Sequence, residues 1–306
     1  MRNERDTENN SGGRYLKKIL EMSGCVRGKK IKKRGEKMNI LVCVKPVPDP
    51  ERYDCIKIDE NSKRIVREGL STIINPSDRN ALEEAIRIRD RCGGKITVIS
   101  MAPGFSRDKL TEALAMGADE AYMISDDVFG GADTYCTSYV LSEAIKKIEV
   151  NGFDLILAGN ESADGGTSHV PAQLAEWLGI SHLCRVNRLE LMETEQDEYI
   201  FRAWKKTETG RLVFEGRLPC VIAVTGDINK PRLVNAMGII KAKKKPLTVL
   251  SNEQLDIDLK NTGEVGSATK AGRLVTPDIA RAAEDLGTDE NAVAERILNI
   301  IKNTGV

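Results

Sequence analysis

Aromatic residues are scarce in this chain, at 4% of 306 positions, and histidine is scarcer, with only His169 and His182. Seven cysteines are scattered between Cys25 and Cys220, and no two form a C-x-x-C pair. Zinc and iron–sulfur sites need closely spaced thiolates or imidazoles, so both are disfavoured. The thiols read as reduced core or incidental residues suited to a cytoplasmic protein. Apolar runs such as Ile40–Val44 and Leu155–Ala158 fall far short of the ~18 residues that cross a bilayer, so no membrane insertion is expected. Net charge is missing too: 46 Lys+Arg balance 46 Asp+Glu. Nothing in that balance pulls the whole molecule toward nucleic acid or anionic lipid.

What is present suffices for a core. Hydrophobic residues make up 41% of the chain, and the length admits one large α/β domain with extensions, or two modest ones. Residues 1–37 stand apart, polar and basic, and close on the charge run Lys29–Lys37 (KKIKKRGEK). They lack the apolar stretch of a secretory signal. Glu4, Asp6, Glu8 and Glu21 argue against a transit peptide. The reading is a disordered tail or a start placed upstream, with the working protein beginning at Met38.

From Met38 strands and helices alternate. Asn39–Val44 reads as a buried strand, Tyr53–Val66 as a hairpin turning at DENSK, and Ser77–Arg91 as a helix stopped by Gly93–Gly94. Strand Lys95–Met101, helix Arg107–Met116, strand Glu120–Ile124, helix Asp133–Ile148, strand Phe153–Ala158 and helix Pro171–Leu178 follow. This alternation predicts an α/β fold: a mostly parallel sheet with helices on both faces. After Ile180 the texture changes to a small antiparallel section at Arg185–Leu191, Tyr199–Lys205 and Arg211–Glu215, then one buried strand, Cys220–Val224. Beyond Gly226 little looks core-forming. A C-terminal arm with a terminal helix near Asp278–Lys302 is expected to pack on another chain. The expected divisions are therefore 1–37, 38–226 and 227–306.

Ligands of open α/β sheets bind at the carboxyl ends of the strands, where loops enter helices. Four loops qualify: Cys43–Pro48, Asn75–Pro76, Ala102–Gly104 and Gly159–Ser168. In the last, Gly165 and Gly166 let a phosphate approach the backbone, and Thr167 and Ser168 lead into a helix whose amides and dipole favour negative charge. The loop is neither G-x-G-x-x-G nor G-x-x-x-x-G-K-[ST], so a phosphate site and a plain capped turn both stay open. A second loop, Phe129–Thr134, enters the helix on which Thr134 and Thr137 share one face of the first turn. Those hydroxyls suit a flavin edge or a phosphate, and equally an ordinary helix start.

MNILVCVKPVPDP, INPSDRNALEEAIRIRD, GGKITVISMAP, LTEALAMGADEAYMISD, FDLILAGNESADGGT and the late INKPRL…IIKAKKK stand in this order. The stretch from Met38 to about Asp258 resembles the beta subunits of electron-transfer flavoproteins. The resemblance implies an adenine-nucleotide-binding fold (Rossmann-like, HUP-type) and an alpha-subunit partner. It implies a nucleotide site lined by Cys43 and Lys45, by Asn75 and Asp78, by Met101, and by Asp164, Gly165, Gly166, Thr167, Ser168, His169 and Val170. In one branch of that family the site holds AMP. In the electron-bifurcating branch it holds a second FAD that takes a hydride from NADH and serves a ferredoxin or flavodoxin and a flavin dehydrogenase. Phe129–Thr134 (FGGADT) resembles the loop of the second branch, which adds Asp133, Thr134 and Thr137 to the expected FAD site. No side chain need act as acid, base or nucleophile, since the redox chemistry is the flavin's. The expected role is that of an electron-carrier subunit, oxidising NADH only together with the alpha subunit.

Two departures stand out. Where that family commonly reads D-G-D-T-x-Q-V-G-P, this chain has Asp164–Gly165–Gly166–Thr167–Ser168–His169–Val170–Pro171–Ala172. An acid and an amide are thereby lost, and His169 becomes a group that could donate to phosphate. The partner-anchoring leucine of acyl-CoA dehydrogenase-linked members is Ala236 here, next to Met237, ahead of the Lys241, Lys243, Lys244, Lys245 cluster. Rival readings are a stand-alone AMP- or ATP-binding module of the universal-stress type and a nucleotide-dependent ligase or hydrolase. The first does not need the late antiparallel section, and the second would want a P-loop where Lys45–Pro48 stands.

Overall fold

The structure, a computed structural model, describes residues 19–21, 32, 35–55, 57–58, 65–66, 71–196, 198–270 and 284–304. Residues up to Lys270 form one compact unit and those from Ala271 a second. In the first unit the strands are β1 (Ile19–Glu21), β2 (Met38–Cys43), β3 (Pro46–Pro48), β4 (Lys57–Ile58), β5 (Ile65–Val66), β6 (Thr72–Ile74) and β7 (Gly94–Met101). They continue with β8 (Glu120–Ile124), β9 (Leu155–Gly159), β10 (Ser181–Glu193), β11 (Tyr199–Thr207), β12 (Gly210–Arg217), β13 (Cys220–Val224) and β14 (Leu247–Leu250). The helices are α1 (Pro76–Cys92), α2 (Arg107–Met116), α3 (Thr134–Ile148), α4 (Val170–Leu178), α5 (Ala236–Ala242), α6 (Asn252–Leu255) and α7 (Gly263–Gly266).

One sheet organises the unit, in the order β1-β12-β11-β10-β13-β9-β2-β7-β8-β14. From β10 to β14 every neighbouring pair is parallel, while β10, β11 and β12 form an antiparallel meander. Strand β2 shows why the centre is parallel. Its residues are apolar on both faces: Ile40 and Val42 join a core with α1 and α2, and Leu41 joins a second core with α3 and α4. A strand covered on both sides must be apolar on both, which the run ILV satisfies. The fold is thus the expected mostly parallel α/β sandwich of three layers.

Helix ends are written locally. Pro76 occupies the first turn of α1, where its missing N–H costs nothing, and Gly93, with φ +69°, stops the helix. Gly179, in the left-handed region at φ +63°, closes α4. The small pairs β4–β5 and β3–β6 are antiparallel, and the first realises the expected hairpin around a turn that lies outside the described residues.

Two sequence expectations change. Strand β10 starts at Ser181, not Arg185, and its first half runs parallel to β13 before its second half pairs antiparallel with β11. A register shift between Val186 and Arg188, with Arg185 at φ +61°, interrupts the side-chain alternation and hid the first half. Residues beyond Gly226 also contribute to the compact unit. Strand β14 extends the sheet beside β8, α5 packs on α2, and Ala242, Leu255 and Ile257 are buried. Lys245 of the basic cluster is no solvated charge: its ammonium donates to the carbonyls of Leu114 (3.0 Å) and Ala118 (2.5 Å) at the end of α2.

Ahead of Met38, β1 pairs with the edge strand β12, and Lys32 accepts a hydrogen bond from the Tyr199 N–H and pairs with Asp154 at 3.0 Å. The rest of Lys29–Lys37 before Gly35 lies outside the described residues, as do residues 271–283, where the expected terminal helix would begin. In the second unit the helix α8 runs Glu290–Thr304, and Arg296 forks onto Glu284.

The start of β7 allows a direct test. Gly94 sits at φ +132° and a Cβ there would collide with the Met38 carbonyl. Gly94→Ala should cost about 2 kcal/mol or more in urea unfolding. A loss within about 0.5 kcal/mol, the usual surface value, would contradict the packing described.

Candidate nucleotide site

The chain builds its sheet outward from β2. Strands β7 and β8 are laid down on one side, and the chain then returns to place β9, β10 and β13 on the other. The strand order thus reverses between the carboxyl ends of β2 and β9, and in open α/β sheets such a switch point is where the ligand crevice forms. Residues from both strand ends and from the start of α1 meet there.

Inside the crevice sits the first turn of α1. The Asp78 carboxylate accepts the Lys45 N–H at 2.7 Å on one oxygen and the Gly159 N–H at 2.9 Å on the other. Asn75 does similar work one turn earlier: its amide group donates to the Glu161 carbonyl (2.9 Å) and accepts from the Ala163 N–H (3.0 Å). Gly159 is obligatory, since a Cβ would run into Ser77 Oγ and Asp78 Oδ1. Above this layer the Lys45 ammonium reaches Asp164 at 2.6 Å and Ser162 Oγ at 3.2 Å. Burial pushes Asp78 up to about 7, against hydrogen bonds from Asn75, Lys45 and Gly159.

The loop that follows β9 is tied down by its own side chains. Asn160 donates to Ser168 Oγ at 3.1 Å and accepts the Arg185 N–H, while the Ser168 hydroxyl donates to Glu161 at 3.0 Å. Ser168 is thereby held at φ +57°, a conformation that non-glycine residues rarely take. Gly165 and Gly166 are exposed, and Gly166 also has φ +57° with open space where a side chain would stand. No side chain caps α4. The N–H groups of Thr167, Ser168, His169, Val170 and Ala172 find no acceptor among the described residues. Uncapped first-turn amides at a positive helix end form an anion site. His169 is exposed beside them.

The start of α3 is different. Asp133 caps it, accepting the Cys136 N–H at 3.0 Å, and its other oxygen accepts both the N–H and the hydroxyl of Thr269. Ser267 in turn accepts the Asp133 N–H. Burial would raise Asp133, yet these donors hold it below the ordinary carboxylate value. Its carboxylate is spent on the protein. Thr134 and Thr137 are half-buried in the first turn, and neither hydroxyl is taken by another described group. Tyr135 and Tyr139 pack edge-on against Trp177, which joins the first turns of α3 to the last turn of α4.

Cys43 and Met101 end β2 and β7 on the face that packs against α3 and α4, both half-buried. Burial, with the charge of Asp78, pushes the Cys43 thiol up to about 12, so it offers apolar surface and no thiolate. Among the described residues no cluster of His, Cys, Asp or Glu could hold a metal ion. The structure therefore joins Lys45, Asn75, Asp78 and Asp164 by direct bonds, and groups Asp133, Thr134 and Thr137 separately at α3. Ser162, Ser267, Thr269 and Trp177 were not picked out from sequence. Their partners are remote in the chain, and a lone serine or threonine in a polar stretch gives no signal.

Residues 63–255 match the family model described as the electron transfer flavoprotein domain. The electron transfer flavoprotein subunit beta of Thermoanaerobacterium thermosaccharolyticum is 42% identical over 248 residues, covering 81% of this chain and 91% of the relative. The chain belongs to the electron transfer flavoprotein family, among its beta subunits. Subunit CarD of the caffeyl-CoA reductase-Etf complex of Acetobacterium woodii is 36% identical over 267 residues, covering 87% of this chain and 98% of CarD. The acryloyl-CoA reductase electron transfer subunit gamma of Anaerotignum propionicum is 34% identical over 266 residues, with 85% and 97% covered. Beta subunits of this family pair with an alpha subunit and are associated with flavin. No helix of the described residues is long and apolar enough to cross a membrane.

Two measurements check this geometry. Asp133→Ala removes a helix cap and the link to Thr269, and should cost about 1–2 kcal/mol in unfolding free energy. A neutral result would contradict the contacts. For Asp78 the sign is opposite to that of a paired surface carboxylate. A raised folded-state value favours the folded protein at low pH, and that contribution fades as pH rises from about 4 toward 7. Urea unfolding of Asp78→Asn should therefore lose a pH slope that the parent shows in this window, and parallel curves would count against the buried carboxyl.

Proposed function

We propose that this chain binds FAD in the crevice between β2 and β9 and, with its alpha subunit, carries electrons between NADH or a flavin dehydrogenase and partner redox proteins. The observation that carries the reading is the uncapped start of α4, whose free amides follow Gly165 and Gly166 in the loop that Lys45 holds at Asp164. These groups fit a diphosphate: the amides and the helix dipole supply positive potential without a mobile side chain. The half-buried Cys43 and Met101 offer an apolar floor, and the Thr134 and Thr137 hydroxyls offer hydrogen bonds to a ring edge.

When bound, FAD supplies the redox chemistry, accepting a hydride and releasing electrons singly. The protein holds the cofactor, excludes water from its ring and sets the hydrogen bonds that tune it. Lys45 holds Asp164 neutralised at the mouth. Asp133 holds the start of α3 in place so that Thr134 and Thr137 keep their aim. Two relatives whose names place them with CoA reductases, CarD and the acryloyl-CoA reductase subunit, favour electron bifurcation. In that case a ferredoxin or flavodoxin takes one electron and a flavin dehydrogenase the other. Structural AMP in the same crevice is the competing occupant.

Co-purification with the alpha subunit, followed by counting flavins per heterodimer, separates the two. Two flavins, bleached by NADH, are expected; one flavin with AMP would reject the bifurcating reading. Lys45→Met should lower FAD retention in the beta site by about tenfold, the scale of one charged contact. Unchanged retention would place the phosphates elsewhere.

A further inference from the structure

We propose that Ser267 and Thr269, on the segment that follows α7, position the start of α3 for the flavin ring, acting through Asp133. The inference deepens the FAD reading above and rests on it. Asp133 is the residue on which that helix start turns. Its carbonyl accepts the Thr137 N–H at 2.9 Å, its side chain caps the helix at the Cys136 N–H, and Thr134 follows it directly. Both presented hydroxyls therefore sit on residues whose placement follows that of Asp133. The stretch ahead supplies little restraint of its own: Gly130 and Gly131 are adjacent, Gly131 at φ +73°, and glycine backbones are the least restricted.

Restraint comes instead from the C-terminal segment. The buried Ser267 hydroxyl accepts the Asp133 N–H at 2.9 Å and donates to the Gly263 carbonyl at 2.6 Å. Thr269 donates its N–H at 2.8 Å and its hydroxyl at 2.9 Å to Oδ2 of Asp133, the oxygen that Cys136 does not use. Main chain and side chain of Asp133 are thus each held from outside α3. The segment doing the holding is itself fixed. Gly263, at φ +57°, lies so close to the Val128 carbonyl that a Cβ would collide with it. Lys147, in the last turn of α3, donates to the Leu255 carbonyl at 3.2 Å. The stretch from Leu255 to Thr269 is therefore bonded to both ends of α3, and its last contacts bear on the turn that presents Thr134 and Thr137. A site whose supporting groups are locked in this way holds a ligand in one geometry.

Plain anchoring of the C-terminal segment predicts a different outcome. Under anchoring, loss of the Thr269 hydroxyl loosens the segment and leaves ligands alone. Under positioning, FAD binding suffers and AMP binding does not, because AMP lacks the isoalloxazine ring assigned to the start of α3.

The test uses the full heterodimer, with FAD and AMP titrated separately into the emptied site of this chain. The visible spectrum of the FAD-loaded form minus that of the AMP-loaded form isolates the flavin held here, since flavin on the alpha subunit is common to both. Thr269→Val and Ser267→Ala are each expected to weaken FAD by about fivefold, to shift the difference spectrum, and to leave AMP within about twofold. Thr269→Ser keeps the hydroxyl and should match the parent. Thr269 is exposed, so its variants serve if Ser267→Ala does not fold. Parent-like FAD affinity and spectrum in the folded variants, equal weakening of FAD and AMP, or a Thr269→Ser variant as impaired as Thr269→Val would overturn the proposal. A parent heterodimer that binds AMP and no FAD would instead end the FAD reading, and this proposal with it.

Discussion

The structure depends on a buried carboxylate serving two strands at once. Asp78 takes one backbone N–H from the end of β2 and one from the end of β9, where the chain's direction of sheet building reverses. Parallel strands splay apart at such a reversal, and their last N–H groups point into the gap without a ladder partner. Left unpaired and buried, each would cost about 1–3 kcal/mol. One carboxylate satisfies both and requires a glycine at position 159 to do so. The switch point is organised by that arrangement: the first turn of α1 bonds to the segments that follow both β2 and β9.

Charge is arranged in the same spirit. Three carboxylates surround the crevice, and none is left facing it alone. Asp78 is inside the protein, Asp164 is paired with Lys45, and Glu161 accepts the Ser168 hydroxyl. An anion arriving at α4 would meet backbone amides first. That explains how the chain tolerates Gly166 where its family commonly has an acid: the loop's grip comes from main-chain donors and from Asn160 and Asn75 behind it. The start of α3 is organised the opposite way, with its cap and the Thr269 segment occupying the acid and leaving two hydroxyls presented.

Much of this was legible in the sequence because it is local. Strands β2 and β9 carry the apolar runs Ile40–Val44 and Leu155–Ala158, and Gly93, Gly117 and Gly179 mark helix ends, so the helices from α1 to α4 fall within a residue or so of expectation. What could not be read is what depends on distance. The first half of β10 is parallel and the second antiparallel because of a bulge at one residue pair. Strand β14 is an edge strand with exposed central residues, so its pattern is weak. Lys245 looks like one of four similar lysines and only the fold directs it to the end of α2. The family resemblance located Asn75 and Asp78 at the site, while the geometry gives each its task.

The account turns on where a phosphate would lie. A crystal structure of the flavin-loaded heterodimer measures this directly. Phosphate oxygens should lie about 3 Å from amides among Thr167–Val170, with Asp78 still bonded to the Lys45 and Gly159 N–H groups. A nucleotide bound with its phosphates away from the start of α4, or with Asp78 turned onto it, would contradict the account.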